Sequence, residues 1–393
     1  MTLLLNAAIP GQAGTHVLAI GVGKYPHLVG GKGPLAKDPM GLEQLESPPV
    51  SVKALLDWFM SPAGADQGFQ NPLAPLASVE ALASADAPVV IDTHGAAITL
   101  EAAIQDNVQQ AFEDWLARLK GHPDNVGIFY FCGHGVMVAD HHLLCEDFGR
   151  SLQPWNKAFN ISLTIRAVER EIRGSVFFFI DACRKIPRAV AMSLGASGPP
   201  LLPPNLGASV SRRHTTTIYA AGEGELAFAP RGGAVSRFTS TLLCALSGYC
   251  GVKAPGQQTW TVDGENLSSA IRTLLEQNEP DLSGKAGSGT QVCEQLVTGP
   301  LVPLMRLSTA PSVKVRLDLA PRERRALYDL YLSSSKGNHR VAQNKKDQIF
   351  KVELPRGVYE VGAADPDNKL LPVIYVDEEL SPPMYLFTMQ SLP

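Results

Sequence analysis

Short apolar runs and longer amphipathic stretches alternate over the first three-quarters of the chain. Short apolar runs bounded by glycine or polar residues are typical of buried strands, and apolar residues at helical spacing are typical of helices that cover a sheet. The predicted strands are 15–25, 78–84, 89–91, 126–132, 176–180 and 215–221, with a hairpin around 141–147, and the predicted helices are 49–60, 99–119, 162–173 and 236–246. This order predicts an α/β fold with a mostly parallel sheet flanked by helices.

The pattern changes after Arg306. Apolar and polar residues alternate over 313–319, which is the period of a half-buried strand. Further strands are predicted at 349–361, around a turn at 355–357, and near 371–376 and 384–389. We therefore expect a first domain at 1–306 and a small all-β, sandwich-like domain at 307–393.

Composition excludes several classes of partner. The chain has 393 residues, of which 45% are hydrophobic and 18% charged, with a net charge of −4. This charge gives no basic surplus for binding a nucleic-acid backbone. The N-terminus lacks the positive region of a secretory signal, and no apolar window reaches the length of a membrane span. The expectations are a cytoplasmic protein that binds neither nucleic acid nor membrane.

Six cysteines are spread irregularly along the chain, at Cys132, Cys145, Cys183, Cys244, Cys250 and Cys293. They are too sparse for a disulfide framework, and no pair has zinc-site spacing. Each is expected to be a free thiol. Nothing in the sequence calls for a metal or an organic cofactor.

Two predicted strands each end in a small-residue turn that carries one reactive side chain. The first ends in Gly133-His134-Gly135, and the second in Asp181-Ala182-Cys183. Functional groups of open α/β sheets collect beyond the carboxyl ends of the strands. An imidazole near a thiol favours the thiolate and can protonate a leaving amine. His134 is therefore the candidate general acid/base and Cys183 the candidate nucleophile, with the amides of Gly135 and Cys183 as oxyanion donors.

Each of these residues also has a structural interpretation. His134 alone could be a satisfied turn histidine and Cys183 a core thiol, so only the joint arrangement favours catalysis. Cys132 lies inside the apolar strand and is expected to be a core thiol. His94 is a competing base because it also precedes a glycine. His16 and His27 are expected to be structural or exposed.

GIFYFCGHG followed by VFFFIDACR resembles the caspase-like cysteine peptidases, the group of caspases, metacaspases and their prokaryotic relatives. The separation of 49 positions from His134 to Cys183 agrees with the caspase spacing of about 50. HVLAIGVGKY is similar to the first strand of that family, and TTTIYAAGEGELAFAPRGGAVSRFTSTLLCAL to its last large strand and following helix. The resemblance covers roughly residues 15–306. It implies a caspase-like fold and an endopeptidase that acts on proteins or peptides.

The residues around Cys183 depart from the caspase pattern. Lys185 stands where caspases have a glycine after the nucleophile motif. Asp181 is closer to metacaspases, in which this acid lines the first specificity pocket, and it implies Arg or Lys at P1, the residue before the scissile bond. The Asn-Asp pair that metacaspases often have after the first helix begins is absent. The structural alternative for Asp181 is a strand-end carboxylate that caps amides.

The stretch 187–214 is rich in Gly, Pro, Ser and Ala, and a loop of this length inside a domain is usually functional or disordered. The resemblance places there a loop that is cleaved or rearranged on activation. Cleavage after Arg212 or Arg213 would be self-processing if the pocket is acidic, and an exposed, uncut loop is the alternative. Glu223 and Glu225 either border the substrate groove or are simply solvated.

Three functions stay open at this stage. The leading one is a cysteine endopeptidase, followed by a binding scaffold that has lost turnover and by a cysteine hydrolase or acyltransferase of a small molecule. The C-terminal domain is expected to be a sensor, inhibitor or docking module that binds an activating ligand or partner. The resemblance to prokaryotic relatives implies a role in antiviral or cell-death defence and leaves calcium dependence undecided.

Overall fold

The computed structural model describes residues 2–391 except 62–67, 94, 186–196, 206, 208–213, 226, 228–232, 255, 278–290, 308, 335–339, 343–348 and 366–372. The helices, in chain order, are α1 (Ser47–Phe59), α2 (Gln105–Lys120), α3 (Ile161–Glu171), α4 (Arg237–Cys244) and α5 (Gly264–Gln277). The strands are β1 (Thr2–Asn6), β2 (Thr15–Val22), β3 (Leu76–Ser84), β4 (Val90–Asp92), β5 (Ala97–Thr99), β6 (Val126–Gly133), β7 (Gly135–Met137), β8 (His141–Leu144), β9 (Ala158–Asn160), β10 (Ser175–Ala182), β11 (Thr215–Tyr219), β12 (Trp260–Val262), β13 (Glu294–Thr298), β14 (Met305–Leu307), β15 (Ser312–Ala320), β16 (Asp329–Ser334), β17 (Arg340–Ala342), β18 (Phe350–Pro355), β19 (Gly357–Ala364), β20 (Ile374–Leu380) and β21 (Met384–Gln390).

A central sheet carries the site, with the strand order β1-β3-β2-β6-β10-β11-β13. The five inner strands are mutually parallel, and only the two edge strands run antiparallel to their neighbours. Every residue of β6 and β10 is buried, as expected for inner strands covered on both faces. The predicted α/β fold with a mostly parallel sheet is confirmed.

Helix α2 shows how the sequence builds one layer. Phe112, Trp115 and Leu119 form a buried stripe against the sheet, and Trp115 packs on Phe129 at 6.1 Å between ring centroids. The indole Nε1 of Trp115 donates to the carbonyl oxygen of His16 at 3.0 Å. The helix begins at Gln105 rather than at residue 99, because β5 pairs with β4 in a short hairpin.

A small antiparallel sheet, β7-β8-β9, lies next to the central sheet. Strand β7 continues the chain directly after β6 and His134, and its Gly135 pairs with Leu143 of β8. The predicted hairpin around residue 141 therefore begins earlier, with β7 as its first strand. This sheet connects the residues around His134 to those around His141.

The chain divides into two compact units, Met1–Leu243 with Asp263–Arg306, and Cys244–Val262 with Leu307–Pro393. The second unit contains two sheets, β18-β15-β21 and β17-β16-β19-β20. The apolar residues of β15 are buried in one core with Leu330, Leu332 and Val361 of the other sheet, which makes a sandwich. Segment 244–262 belongs to this unit as well, an assignment that its sequence pattern does not indicate.

Within the described ranges, no helix is long and apolar enough to cross a membrane.

Candidate active site

Strand register brings the two sequence-predicted reactive residues to one edge of the sheet. Strands β6 and β10 are parallel neighbours, and Gly133 is paired with Ala182, the last residue of β10. His134 and Cys183 are the next residues on these two strands. Because adjacent strands lie about 4.8 Å apart, the two residues leave the sheet side by side at its carboxyl edge.

His134 is held by two groups from the segment between β2 and α1. Its backbone amide donates to the hydroxyl of Tyr25 at 2.8 Å, and its ring Nε2 lies 2.7 Å from the carbonyl oxygen of Glu43. A carbonyl oxygen only accepts, so Nε2 carries the proton and Nδ1 keeps its lone pair. Burial lowers the pKa of His134 to about 4. The imidazole is therefore neutral at pH 7, with Nδ1 as its basic nitrogen.

The segment that carries Glu43 is fixed by the next residue, Gln44. Its Oε1 accepts from the amide of Tyr25 at 2.8 Å, and its Nε2 donates to the carbonyl oxygens of Tyr25 at 2.9 Å and Val29 at 3.1 Å. Sequence reasoning missed these residues because a carbonyl that orients a histidine has no side-chain signature. The only local signal is a tyrosine at the end of the first apolar run.

Cys183 is half-buried, and its sulfur contacts the backbone of Ala227. The amide of Ala227 donates to Sγ at 3.3 Å. Burial raises the pKa of the Cys183 thiol, and the bond from Ala227 opposes that effect only in part. Burial thus favours a protonated thiol at Cys183 and a neutral imidazole at His134.

The amide of Gly135 is not used by the ladder between β7 and β8, and its role as an oxyanion donor stays a prediction. Leu144 donates to the carbonyl oxygen of His134 at 3.0 Å, so Gly135 occupies the next, non-hydrogen-bonded position of the β7–β8 ladder. The amide of Met137, on the same edge of β7, donates to the carbonyl oxygen of Lys185 at 3.1 Å. The Gly135 amide therefore faces the chain around Cys183 and is not used by β8.

Position 135 must be glycine because neighbouring groups of the protein fill the space that a side chain would need. A Cβ atom there would overlap the carbonyl oxygen of Cys183 and lie 2.5 Å from Nε2 of His141. A Cβ atom at Gly133 would lie 2.9 Å from the hydroxyl of Tyr25. The space beside both glycines is filled by the protein itself.

Asp181 points into the interior, toward the first turn of α4. Its Oδ2 accepts from the hydroxyls of Ser236 and, at 2.7 Å, Thr239, and from the thiol of Cys132 at 3.5 Å. Burial raises the pKa of this carboxyl, and the hydroxyl donors oppose the shift. The carboxylate thus stabilises the link between the nucleophile strand and α4, and its role in a specificity pocket stays a prediction.

Arg184 fixes the chain directly after the nucleophile. Its buried guanidinium pairs with Glu294 and lies 4.3 Å from the ring centroid of Tyr219. Its amide donates to the carbonyl oxygen of Glu225 at 3.0 Å, and its own carbonyl accepts from Gly224 at 2.9 Å. Sequence reasoning did not single out Arg184. The side chains of Glu223 and Glu225 are exposed, and a place along a substrate groove stays a prediction for both.

The other candidates lie away from this pair or outside the described residues. His16 is buried, its Nδ1 lies 2.8 Å from Oγ of Ser78, and burial lowers its pKa to about 4, so its role is structural. The ring of His27 is bonded to the carbonyl oxygen of Pro34 at 2.9 Å. All six cysteines are free, as predicted. His94, Arg212 and Arg213 lie outside the described residues.

Comparison with known proteins identifies the family. The sequence matches the family model of the caspase domain over residues 16–284, which is more than half of the chain. The chain belongs to the caspase family. The resemblance seen in the strand-end motifs is confirmed, and the matched region contains both His134 and Cys183.

Two individual proteins are similar to this chain. Uncharacterized protein y4kE of Sinorhizobium fredii is 34% identical over 299 residues, which cover 72% of this chain and 83% of that protein. The crystal structure of Caspase-1 from Spodoptera frugiperda covers 77% of this chain and 94% of its own, with 9% identity and a TM-score of 0.43. The family assignment rests on the family model.

Proposed function

We propose that this caspase-family protein is a cysteine endopeptidase that hydrolyses peptide bonds through Cys183 and His134. The observation that carries the proposal is the pairing of Gly133 with Ala182, which brings the next residue of each strand to the same sheet edge. The bond from Nε2 of His134 to the Glu43 carbonyl adds support, because it leaves Nδ1 free to take a proton.

The reaction follows from these positions. Nδ1 of His134 takes the thiol proton of Cys183, and the thiolate forms a bond to the substrate carbonyl carbon. The carbonyl electrons move to oxygen, where the amides of Gly135 and Cys183 stabilise the charge. The imidazolium then protonates the leaving amine as the C–N bond breaks. Water, deprotonated by the same imidazole, hydrolyses the resulting thioester and releases the acid and the free thiol.

Activity requires a change from the resting arrangement. The Cys183 sulfur accepts the amide of Ala227 and is half-buried, so a substrate carbonyl must displace this contact before attack. We therefore expect activity only after substrate binding or an activating event has separated the Cys183 sulfur from Ala227.

The direct test is covalent labelling with an electrophilic peptide, combined with cleavage of a fluorogenic peptide library. The proposal predicts that a peptidyl acyloxymethyl ketone modifies Cys183 selectively, as read by mass spectrometry. Cys183→Ser and His134→Gln should each lower kcat/KM by about a thousandfold or more, whereas His27→Gln, at a histidine bonded to the Pro34 carbonyl and away from the pair, should retain activity. Undiminished peptide cleavage by Cys183→Ser would contradict the proposal.

A catalytically inactive scaffold is the second candidate, and the contact between the Cys183 sulfur and Ala227 is the observation that favours it. The same experiment separates the two. A scaffold predicts no selective reaction at Cys183 and no cleavage of any library peptide under activating conditions.

The preference for Arg or Lys at P1 is a finer proposal that rests on Asp181. Asp181 is the last residue but one of β10 and lies two positions before Cys183. A carboxylate below a pocket favours a guanidinium or ammonium group. Asp181→Asn should lower kcat/KM for Arg peptides more than for matched Gln peptides. Thr239→Val, which removes a donor to the same carboxylate, is the control for a purely structural effect. An unchanged Arg-to-Gln ratio in Asp181→Asn would rule out this role.

Self-processing in the loop 187–214 follows from the same preference. A peptidase that accepts Arg at P1 would cut after Arg212 or Arg213, because this loop contains adjacent arginines. Wild type should form a fragment of defined mass. Neither Cys183→Ser nor the double variant Arg212→Ala, Arg213→Ala should form it. A fragment that persists in the double variant would contradict cleavage at this place.

We further propose that the C-terminal domain regulates the peptidase and that the protein acts in antiviral or cell-death defence. Support comes from the separate core of the sandwich, in which Leu317 is fully buried, and from the family resemblance. Leu317→Ala should destabilise the sandwich and change basal or ligand-stimulated cleavage, whereas the exposed Lys351→Ala should do neither. For the defence role, wild type but not Cys183→Ser should protect bacteria from phage or arrest their growth.

A further inference from the structure

A second histidine contacts the nucleophile residue through its backbone. His141, the first residue of β8, is fully buried at 0% exposure, and its Nε2 lies 3.0 Å from the carbonyl oxygen of Cys183. The carbonyl oxygen only accepts, so Nε2 carries the proton and donates. This bond joins the small sheet to the turn that carries the nucleophile.

The contact is built by the register of the small sheet. His141 pairs with Met137 of β7, two residues beyond Gly135, and β7 follows His134 without a break. A Cβ atom at Gly135 would lie 2.5 Å from Nε2 of His141. The imidazole, the glycine and the Cys183 carbonyl are therefore packed in direct contact, and the strand after the candidate base also supports the nucleophile.

The peptide that follows Cys183 is fixed on both of its polar groups. Its carbonyl oxygen accepts from His141, and its N–H, which belongs to Arg184, donates to the carbonyl oxygen of Glu225 at 3.0 Å. Holding both groups sets the plane of this peptide. The plane in turn limits the backbone rotation at Cys183, which decides where its sulfur and its own amide point.

Packing alone does not explain an imidazole at this position. Nδ1 of His141 is buried and has no hydrogen-bond partner among the residues that the structure describes. An unsatisfied buried polar atom costs about 1–3 kcal/mol. A leucine would fill the same space without that cost, so the donor at Nε2 is the property that distinguishes histidine. Burial, with a smaller effect of Arg184, lowers the pKa of His141 to about 3, which keeps it a neutral donor.

We infer that His141 is a positioning residue that holds the Cys183 carbonyl, and through it the sulfur and the oxyanion-donating amide, in the geometry needed for attack. The inference rests on the proposed peptidase function for its kinetic consequence. Its structural content, the restraint on Cys183, is independent of any substrate.

The test compares three variants of the full-length chain. His141→Leu removes the donor, and His141→Gln restores an N–H near the position of Nε2. His142→Leu is the matched control, because His142 is also buried on β8 but its Nδ1 lies 2.9 Å from the carbonyl oxygen of Asp140 and its ring packs on Trp155. The readouts are kcat and KM for a cleaved peptide, the rate at which iodoacetamide alkylates Cys183, and the thermal midpoint.

His141→Leu should lower kcat by about tenfold to a hundredfold with little change in KM, since misplaced reacting groups lose rate rather than binding. Iodoacetamide should also alkylate Cys183 several-fold faster in this variant, because a less restrained Cys183 leaves its contact with Ala227. His141→Gln should recover part of both effects, and His142→Leu should show neither despite a similar loss of thermal stability.

Two results would overturn the inference. One is equal kcat and equal alkylation rates in His141→Leu and His142→Leu, and the other is no recovery in His141→Gln. If wild type cleaves no peptide, the proposed function fails, and the alkylation rates alone decide whether His141 restrains Cys183.

Discussion

The ring Nε2 of His134 donates to the carbonyl oxygen of Glu43 at 2.7 Å, across 91 positions of sequence. The bond fixes the ring orientation and the tautomer together, because only a protonated Nε2 can donate to a carbonyl. The remaining nitrogen, Nδ1, is then the one available for the thiol of Cys183. In the proposed mechanism, this backbone carbonyl has the orienting role that a carboxylate side chain has in Ser-His-Asp triads.

Gln44 should control activity through this bond. Gln44→Leu removes one acceptor and two donors that tie the segment to Tyr25 and Val29, so Glu43 loses its fixed position. We expect kcat to fall about tenfold or more and the free energy of unfolding to fall by about 1–3 kcal/mol. Steady-state kinetics and urea unfolding measure the two effects.

The control for that prediction is Gln109→Leu on the surface of α2, whose amide donates to Glu113 and to the carbonyl oxygen of Leu201. It should leave kcat unchanged. A Gln44→Leu enzyme with normal kcat would show that the Glu43 carbonyl does not need this support.

Gly135→Ala should disable the site by steric overlap. The added methyl group meets the Cys183 carbonyl and the His141 ring, which are hydrogen-bonded to each other, so neither can move without disturbing the turn that carries the nucleophile. We expect kcat/KM to fall by about a hundredfold or more. Gly207→Ala, whose Cβ would lie at an ordinary 3.5 Å from Asn205 Oδ1, should have wild-type activity. Retained activity in Gly135→Ala would mean that the turn is more adaptable than its packing indicates.

The resting thiol should react as a neutral, buried cysteine. Burial raises the pKa of Cys183, so its alkylation by iodoacetamide without substrate should increase with pH up to and beyond pH 9. Mass spectrometry of the modified peptide, measured from pH 6 to 10, gives the profile. A rate that is already constant between pH 6 and 7 would instead indicate a thiolate–imidazolium pair in the resting enzyme.

Stability should fall as the pH is lowered below about 6.5. Burial lowers the pKa of His16 and His134 to about 4 and, with a contribution from Arg184, that of His141 to about 3, whereas an unfolded histidine titrates near 6.5. The unfolded chain therefore binds more protons between pH 6.5 and 4, so the stability is complete above 6.5 and is lost as the pH falls through this window. Each extra proton contributes a slope of about 1.4 kcal/mol per pH unit.

Urea unfolding at pH 7.5, 6 and 5 measures this dependence. His16→Gln, which removes one of these imidazoles away from the candidate site, should reduce the slope. The buried carboxyls of Glu80 and Asp181 have raised pKa values and act in the opposite direction, over the pH range between their unfolded pKa of about 4 and their raised folded pKa. An unfolding midpoint that stays constant or rises from pH 7.5 to 5 would contradict the burial of these histidines.

Local sequence patterns predicted the elements and the reactive pair. The apolar runs 126–132 and 176–180 are inner strands, and the helical stripes around Trp115 and Val168 are buried faces of α2 and α3. These predictions succeed because periods of 2 and 3.6 residues depend only on neighbouring side chains. Since both runs end in turns with a reactive side chain and parallel strands share one carboxyl edge, the same patterns also predicted that His134 and Cys183 would lie close together.

Some element ends were set by partners that a local pattern does not contain. Helix α2 begins at Gln105, after the residues 97–99 that pair with β4. The helix predicted at 236–246 is a regular α-helix only as far as Cys244. A π-helical turn follows, in which Gly248 has a φ of 106°. Segment 244–262 belongs with the C-terminal strands although it lies between two helices of the first unit.

Sequence alone thus determined the fold class, the edge of the sheet that carries the site and the two side chains at its centre. Tertiary structure decided what surrounds them: the Glu43 carbonyl on His134, the Ala227 amide on Cys183, and the His141 ring on the Cys183 carbonyl. The physical reason is that these three contacts use backbone atoms. Every residue has the same amide and carbonyl, so their partners are selected by how distant segments pack rather than by any residue pattern.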